Sequence, residues 1–171
     1  MRRAYSRIEV KALNDNRRTF SGIATTPKAD RVGDVVESEG ATYELPIPLL
    51  WQHDANQPIG AINEVTVSKG GIQIRGEVFR ATESQTLADR LDEAWESLKI
   101  GLVRGLSIGF MPIEAKQLKD KSGIRFIKWA WHELSAVTVP ANSEATITAI
   151  KSLDNEFLAA SGKREGVVVL D

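Results

Sequence analysis

The chain reads as a mainly β domain of the α+β class, a mostly antiparallel barrel or curved sheet with helices against it. Three observations carry that expectation. Alternating apolar runs recur along the sequence, one stretch near the middle switches to helical period, and strands and helices never alternate in the βαβ rhythm of a doubly wound parallel sheet. Residues 4–12 and 19–26 alternate and are rich in β-branched side chains, with Asn14-Asp15-Asn16 as the turn between them. The stretch from Pro27 to Pro48, full of Gly, Asp, Glu and Pro, predicts a long connection with one short strand at Asp34–Ser38. Residues 59–67 and 72–79 flank Lys69-Gly70-Gly71, a hairpin signal because paired glycines accept the positive φ angles of tight turns.

At 83–100 the period changes. Leu87, Leu91, Ala94, Trp95 and Leu98 form one apolar stripe at helical spacing, with Thr82 placed to cap the start and Gly101 to end it. Residues 104–115 and 124–139 return to strand, joined by the polar turn Lys119–Gly123, and Pro140-Ala141-Asn142 breaks the second of them. A short helix is expected within 143–160, and Ser161–Glu165 reads as a polar tail or linker.

Composition narrows the function. At 171 residues the chain suits one domain, and 26% charged with 42% hydrophobic residues is ordinary for a globular protein. Lys and Arg number 22 against 23 for Asp and Glu, a net charge of −1, so no basic surplus favours nucleic acid as a partner. The absence of cysteine excludes disulfides, thiolate metal sites and a cysteine nucleophile. Apolar runs fall short of the roughly 18 residues that span a bilayer, so no membrane partner is expected. Met1–Lys11 is basic but has no apolar stretch behind it, which argues against a secretory signal and for an intracellular protein.

Chemistry concentrates in three short segments. Gly105-Leu106-Ser107-Ile108-Gly109 matches the G-x-S-x-G nucleophile elbow, but an elbow needs a helix after it, and Pro112 would fall inside that helix. What remains is a serine on a strand with a glycine two residues away on either side, an open face where another backbone can approach the hydroxyl. Equally, those glycines could accommodate a neighbouring helix beside an ordinary buried serine.

His53 closes the apolar run Ile47–Trp51 at a strand end. Imidazoles titrate near neutrality and can take a serine proton, although this one could equally cap the strand or bond Asp54. Asp54 itself is a poor orienter, since neighbours in extended chain point to opposite sides. His132 and Glu133 are adjacent, so only one can share a face with the serine. Ile127, Trp129, Trp131 and Glu133 have one parity, which predicts Glu133 on a buried apolar face needing a partner such as an imidazole N–H. An ordinary cross-strand salt bridge would use the same residue. A mononuclear metal site of His53, Asp54, His132 and Glu133 is a further alternative, without the second histidine of H-E-x-x-H.

Taken in order, Gly22-Ile23-Ala24, Leu50-Trp51-Gln52-His53-Asp54 with Pro58-Ile59-Gly60, the Gly105–Phe110 serine strand and Glu133-Leu134-Ser135-Ala136-Val137-Thr138-Val139-Pro140-Ala141-Asn142 resemble the prohead (capsid maturation) proteases of tailed bacteriophages. The likeness runs over about residues 5–150. It implies an assemblin-like antiparallel β-barrel surrounded by a few helices, a protease domain at 1–150, and a C-terminal helix or tail at 151–171 that serves as a linker or self-cleavage segment. It also implies a serine endopeptidase with Ser107 as nucleophile, His53 as base and Glu133 as third member, His132 being the alternative. Backbone amides of Ala141 and Asn142 are the candidate oxyanion donors. No cofactor or metal is implied. The implied substrates are scaffold, the scaffold-like part of the major capsid protein, and the protease itself, cut by a homo-oligomer inside the prohead in the host cytoplasm. The rival expectations are a capsid- or scaffold-binding module without activity, and a metal-dependent hydrolase.

Overall fold

One long strand organises the molecule. The computed structural model describes residues 2–4, 17–119, 123–139, 149–151 and 168–169. Its spine is β9 (Ile124–Val137), which pairs along one edge with β8 (Gly105–Gln117) in an antiparallel ribbon. The other edge of β9 is filled in turn by three short parallel strands: β3 (Val35–Val36) opposite Arg125–Phe126, β4 (Ala41–Thr42) opposite Trp129–Ala130, and β5 (Ile47–Trp51) opposite Leu134–Ala136. The polar Pro27–Pro48 stretch is thus less of a loop than its composition predicts. It runs beside β9, pairing with it at Val35–Val36 and, after a single 3-10 turn at Ser38–Gly40, again at Ala41–Thr42.

β5 turns back into β6 (Asp54–Ser68), which pairs with β5 through its first half and with β7 (Gly71–Val78) through its second. Gly60 belongs to both ladders, facing Leu49 on one side and Val78 on the other. A Cβ there would lie 2.9 Å from the Glu77 carbonyl carbon and closer still to its oxygen. Gly60→Ala is therefore expected to destabilise the fold by about 1–3 kcal/mol, read as a lower urea midpoint at unchanged slope. β7 continues to β2 (Arg18–Thr25). β10 (Ala149–Lys151) and β11 (Val168–Val169) follow at that end of the sheet, and β1 (Arg2–Ala4) pairs with β8 at the other.

These pairings correct the expected barrel. The sheet is mixed rather than antiparallel, and among the described residues its two terminal strands, β1 and β11, do not pair, so it does not close. The cause is β5: it returns to β9 in parallel, a long-range pairing that local alternation does not encode.

The described residues hold one α-helix, α1 (Gln85–Lys99), where several helices were expected. Its cap is Ser84, whose hydroxyl accepts from the Leu87 N–H at 3.3 Å, not Thr82. Thr82 stands two residues too early to reach the third amide of a helix starting at Gln85. Gly101 ends it as expected, in left-handed conformation with φ 73°. Leu91, Ala94, Trp95 and Leu98 are buried and join the core, while Leu87 stays at the rim. The helix expected in 143–160 is a strand at 149–151, and the remainder of that segment lies outside the described residues, as do Asn14–Asn16 and Ser161–Glu165.

Beneath the β8–β9 ribbon sits an aromatic cluster. Phe110 meets Phe126 edge-on at 5.1 Å and Trp129 at 5.3 Å, Trp129 meets Trp131 at 6.0 Å, and Tyr43 closes on Trp131 at 5.8 Å. The three edge-to-face pairs among these, all but Trp129–Trp131, add about 0.5–1.5 kcal/mol each beyond the area they bury. They stiffen the two strands that carry the polar residues described next.

Candidate active site

Ser107 stands opposite Ser135 in the β8–β9 ribbon, and Gly109 stands opposite Glu133. Directly opposed residues share a face, as do residues two apart on one strand, so Ser107, Gly109, Glu133 and Ser135 project to one side. Leu106, Ile108, Leu134 and Ala136 project to the other, into the core.

A β-bulge sets this arrangement. Gly109 pairs with Glu133 while its neighbour Phe110 pairs with Trp131, which leaves His132 as the extra residue. The bulge is tied by Trp131, whose indole N–H donates to the Glu133 carbonyl oxygen at 2.7 Å. Parity therefore reverses at His132. Trp131 packs among the aromatics on the core side, and Glu133 lies on the opposite face, not on the tryptophan face that simple alternation predicts. Glu133 is buried as expected, but against polar partners. His132 is exposed.

His53 arrives from a tight turn. Trp51 and Asp54 pair across it, and both central residues are left-handed, Gln52 at φ 52° and His53 at φ 62°. Non-glycine residues at positive φ cost roughly 1–3 kcal/mol each and are retained where surrounding structure over-determines them. Here Gln52 supplies that structure. Its N–H donates to the Ala136 carbonyl at 2.9 Å, its side-chain amide donates to the Thr138 hydroxyl at 2.8 Å, and its side-chain oxygen accepts from the Thr138 N–H at 3.1 Å. The turn is thereby clamped to the end of β9. No Asn-Gly or Asp-Gly pair marks it, so nothing in the sequence announces it.

From that turn the His53 ring reaches Glu133, with Nδ1 at 3.0 Å from Oε1 and both side chains only 6% exposed. An ionised carboxylate can only accept, so a neutral ring making this bond to it carries its proton on Nδ1 and its lone pair on Nε2. The second carboxylate oxygen, Oε2, accepts from the Ser135 hydroxyl at 2.7 Å. Two polar atoms on this face remain unsatisfied: the buried Ser107 hydroxyl and the buried His53 Nε2 find no hydrogen-bond partner among the described residues. Each such orphan costs about 1–3 kcal/mol. The two are not hydrogen-bonded to each other; they are a hydroxyl and an imidazole nitrogen, both buried and unspent on one face.

Asp54 takes no part in orienting His53. It accepts from the Asn56 N–H at 2.8 Å and the Gln57 amide at 2.9 Å, bonds that hold its carboxyl below the ordinary carboxylate range. With Asp54 committed there and His132 exposed, the four residues of the alternative metal site do not converge, and no set of three or more His, Asp or Glu gathers among the described residues. Ala141 and Asn142 lie outside the described residues. Sequence reasoning missed Ser135, Gln52 and the use made of Gly109. The Glu133-Leu134-Ser135 spacing could have revealed the first, since residues two apart on a strand lie side by side.

Comparison with known proteins adds an independent line. A family model described as caudovirus prohead serine protease matches residues 9–157. The capsid polyprotein of Pseudomonas phage PAJU2 is 54% identical over 167 residues, 98% of this chain and 25% of that protein. The prohead protease of Escherichia phage T5 is 28% identical over 141 residues, 78% of this chain and 63% of the relative. That of Enterobacteria phage HK97 is 26% identical over 160 residues, 88% of this chain and 68% of the relative. The chain thus spans a quarter of the capsid polyprotein and less than two thirds of the T5 protein.

Proposed function

The chain belongs to the caudovirus prohead serine protease family, and from that premise we propose that it is a serine endopeptidase acting on capsid precursor during phage prohead maturation. The observation that carries the reading is the His53–Glu133 bond on the face of Ser107, which leaves Nε2 and the hydroxyl buried and unspent.

In this mechanism the Ser107 oxygen attacks a peptide carbonyl while His53 Nε2 takes its proton. The resulting imidazolium keeps its Nδ1–H on Glu133, which stays ionised and steadies the charge. Collapse of the tetrahedral species passes the proton from Nε2 to the leaving amine and leaves the acyl group on Ser107. Water, deprotonated by the same nitrogen, then hydrolyses that ester and regenerates the hydroxyl. Preorganised donors for the oxyanion are assigned to the backbone amides of Ala141 and Asn142, where Pro140 cannot extend the strand ladder.

The proposed substrates are the scaffold-like segment of the major capsid protein, separate scaffold, and the protease's own flanking chain. The match to a quarter of a capsid polyprotein supports a substrate of that class. Confinement within a shell would raise the local concentration of both partners, so a modest intrinsic rate suffices.

The test is to incubate the purified chain with its capsid precursor, map new termini by mass spectrometry, and locate the adduct of a fluorophosphonate probe. New termini in the scaffold-like segment and the adduct on Ser107 are expected. Cleavage that persists once Ser107 is fully labelled, or no cleavage at all, rejects the reading.

A further inference from the structure

We propose that Ser135 and Gly109 are positioning residues that fix the carboxylate of Glu133 for His53, an inference that rests on the catalytic reading above. A carboxylate held through one oxygen can still swing about its terminal torsions, which for Glu are broad. Glu133 is held through both. Oε1 accepts from His53 Nδ1 at 3.0 Å and Oε2 from the Ser135 hydroxyl at 2.7 Å. Ser135 is fully buried, and its hydroxyl is spent on the carboxylate it holds.

Gly109 acts from across the ribbon by what it lacks. A Cβ built on it would lie 2.7 Å from both Cγ and Cδ of Glu133 and closer still to Oε1, the oxygen that meets the imidazole. A side chain at 109 therefore displaces the Glu133 carboxylate from the position in which it meets His53. From the sequence, the glycines around Ser107 read as an open face for an approaching backbone. At Gly109 that space is occupied by the Glu133 side chain instead. The two devices are independent, a bond on one oxygen and a void beside the other. Together they set where the third group of the triad rests, and displacements of about 1 Å in such a group cost on the order of a hundredfold in rate.

The experiment reads the imidazole directly as well as the rate. In the 15N-labelled full chain at low temperature and acidic pH, a downfield proton resonance of His53 Nδ1–H reports its bond to Glu133. It is expected in the parent and in Ser107→Ala, to move upfield in Ser135→Ala, and to be lost in Gly109→Ala. Precursor cleavage should fall in kcat by tenfold to a hundredfold in Ser135→Ala with KM unchanged, and further in Gly109→Ala, with thermal midpoints confirming folded protein. Should Gly109→Ala not fold, the Ser135→Ala arm decides alone. A parent-like resonance in Ser135→Ala overturns the proposal, whether or not the rate falls, and so does a parent-like kcat. Cleavage that survives Ser107→Ala would instead sink the catalytic reading, while the resonance would still report whether Ser135 and Gly109 hold the carboxylate.

Discussion

Ser107→Ala is expected to lower the rate of precursor cleavage by about six orders of magnitude, and His53→Ala by a similar factor. The two losses should not add in the double variant, because hydroxyl and imidazole serve one proton transfer and removing either removes the step. Ser107→Ala is also a clean substitution. The hydroxyl is buried without a partner among the described residues, so deleting it relieves an unsatisfied polar group and leaves the strand packing intact. Its thermal midpoint is expected at or above that of the parent. Rates come from the appearance of each new terminus, followed by quantitative mass spectrometry. Parent-like processing by either single variant would remove that residue from the mechanism.

Glu133→Gln should cost about 10^4 in kcat while preserving the fold. The glutamine amide fills the same volume, but it can turn its NH2 towards Nδ1 and become the donor. That stabilises the opposite tautomer, with the proton on Nε2, and a protonated Nε2 cannot accept from Ser107. The loss is therefore one of tautomer rather than of charge alone. His132→Ala is expected to cleave at the parent rate, since that side chain is exposed on the bulge and makes no described contact with His53. If the histidine variant failed and the glutamine variant worked, the third role would pass to His132.

Several parts of this molecule were legible in the sequence because they are local. The stripe Leu91, Ala94, Trp95, Leu98 has only one regular conformation that puts it on one face, and α1 takes it. The hairpin at Lys69-Gly70 follows from the alternation on either side, and Ser107 between two glycines follows from strand period alone. Glu133 is buried as alternation predicts, but not on the face that alternation predicts. Counting parity from Trp129 through Trp131 places Glu133 with the tryptophans, and the bulge at His132 puts it on the other side. A bulge depends on what the partner strand offers in register, here Phe110 demanding Trp131 beneath the ribbon, and a strand read by itself carries no trace of it.

Residue types, helix, hairpin and the strands bearing Ser107 and Glu133 were determined by the sequence alone, since periodicity and turn chemistry act over a few residues. Tertiary structure alone decided that β5 lies parallel to β9, that Gln52 and His53 turn left-handed against its end, and that Glu133 divides its two oxygens between His53 and Ser135. The reason is physical: β5, its turn and His53 meet β9 from about 80 residues away, where strand register and the satisfaction of buried charge, not local preference, select the arrangement. Ser135 can reach Glu133 only because both lie on the face that the bulge sets.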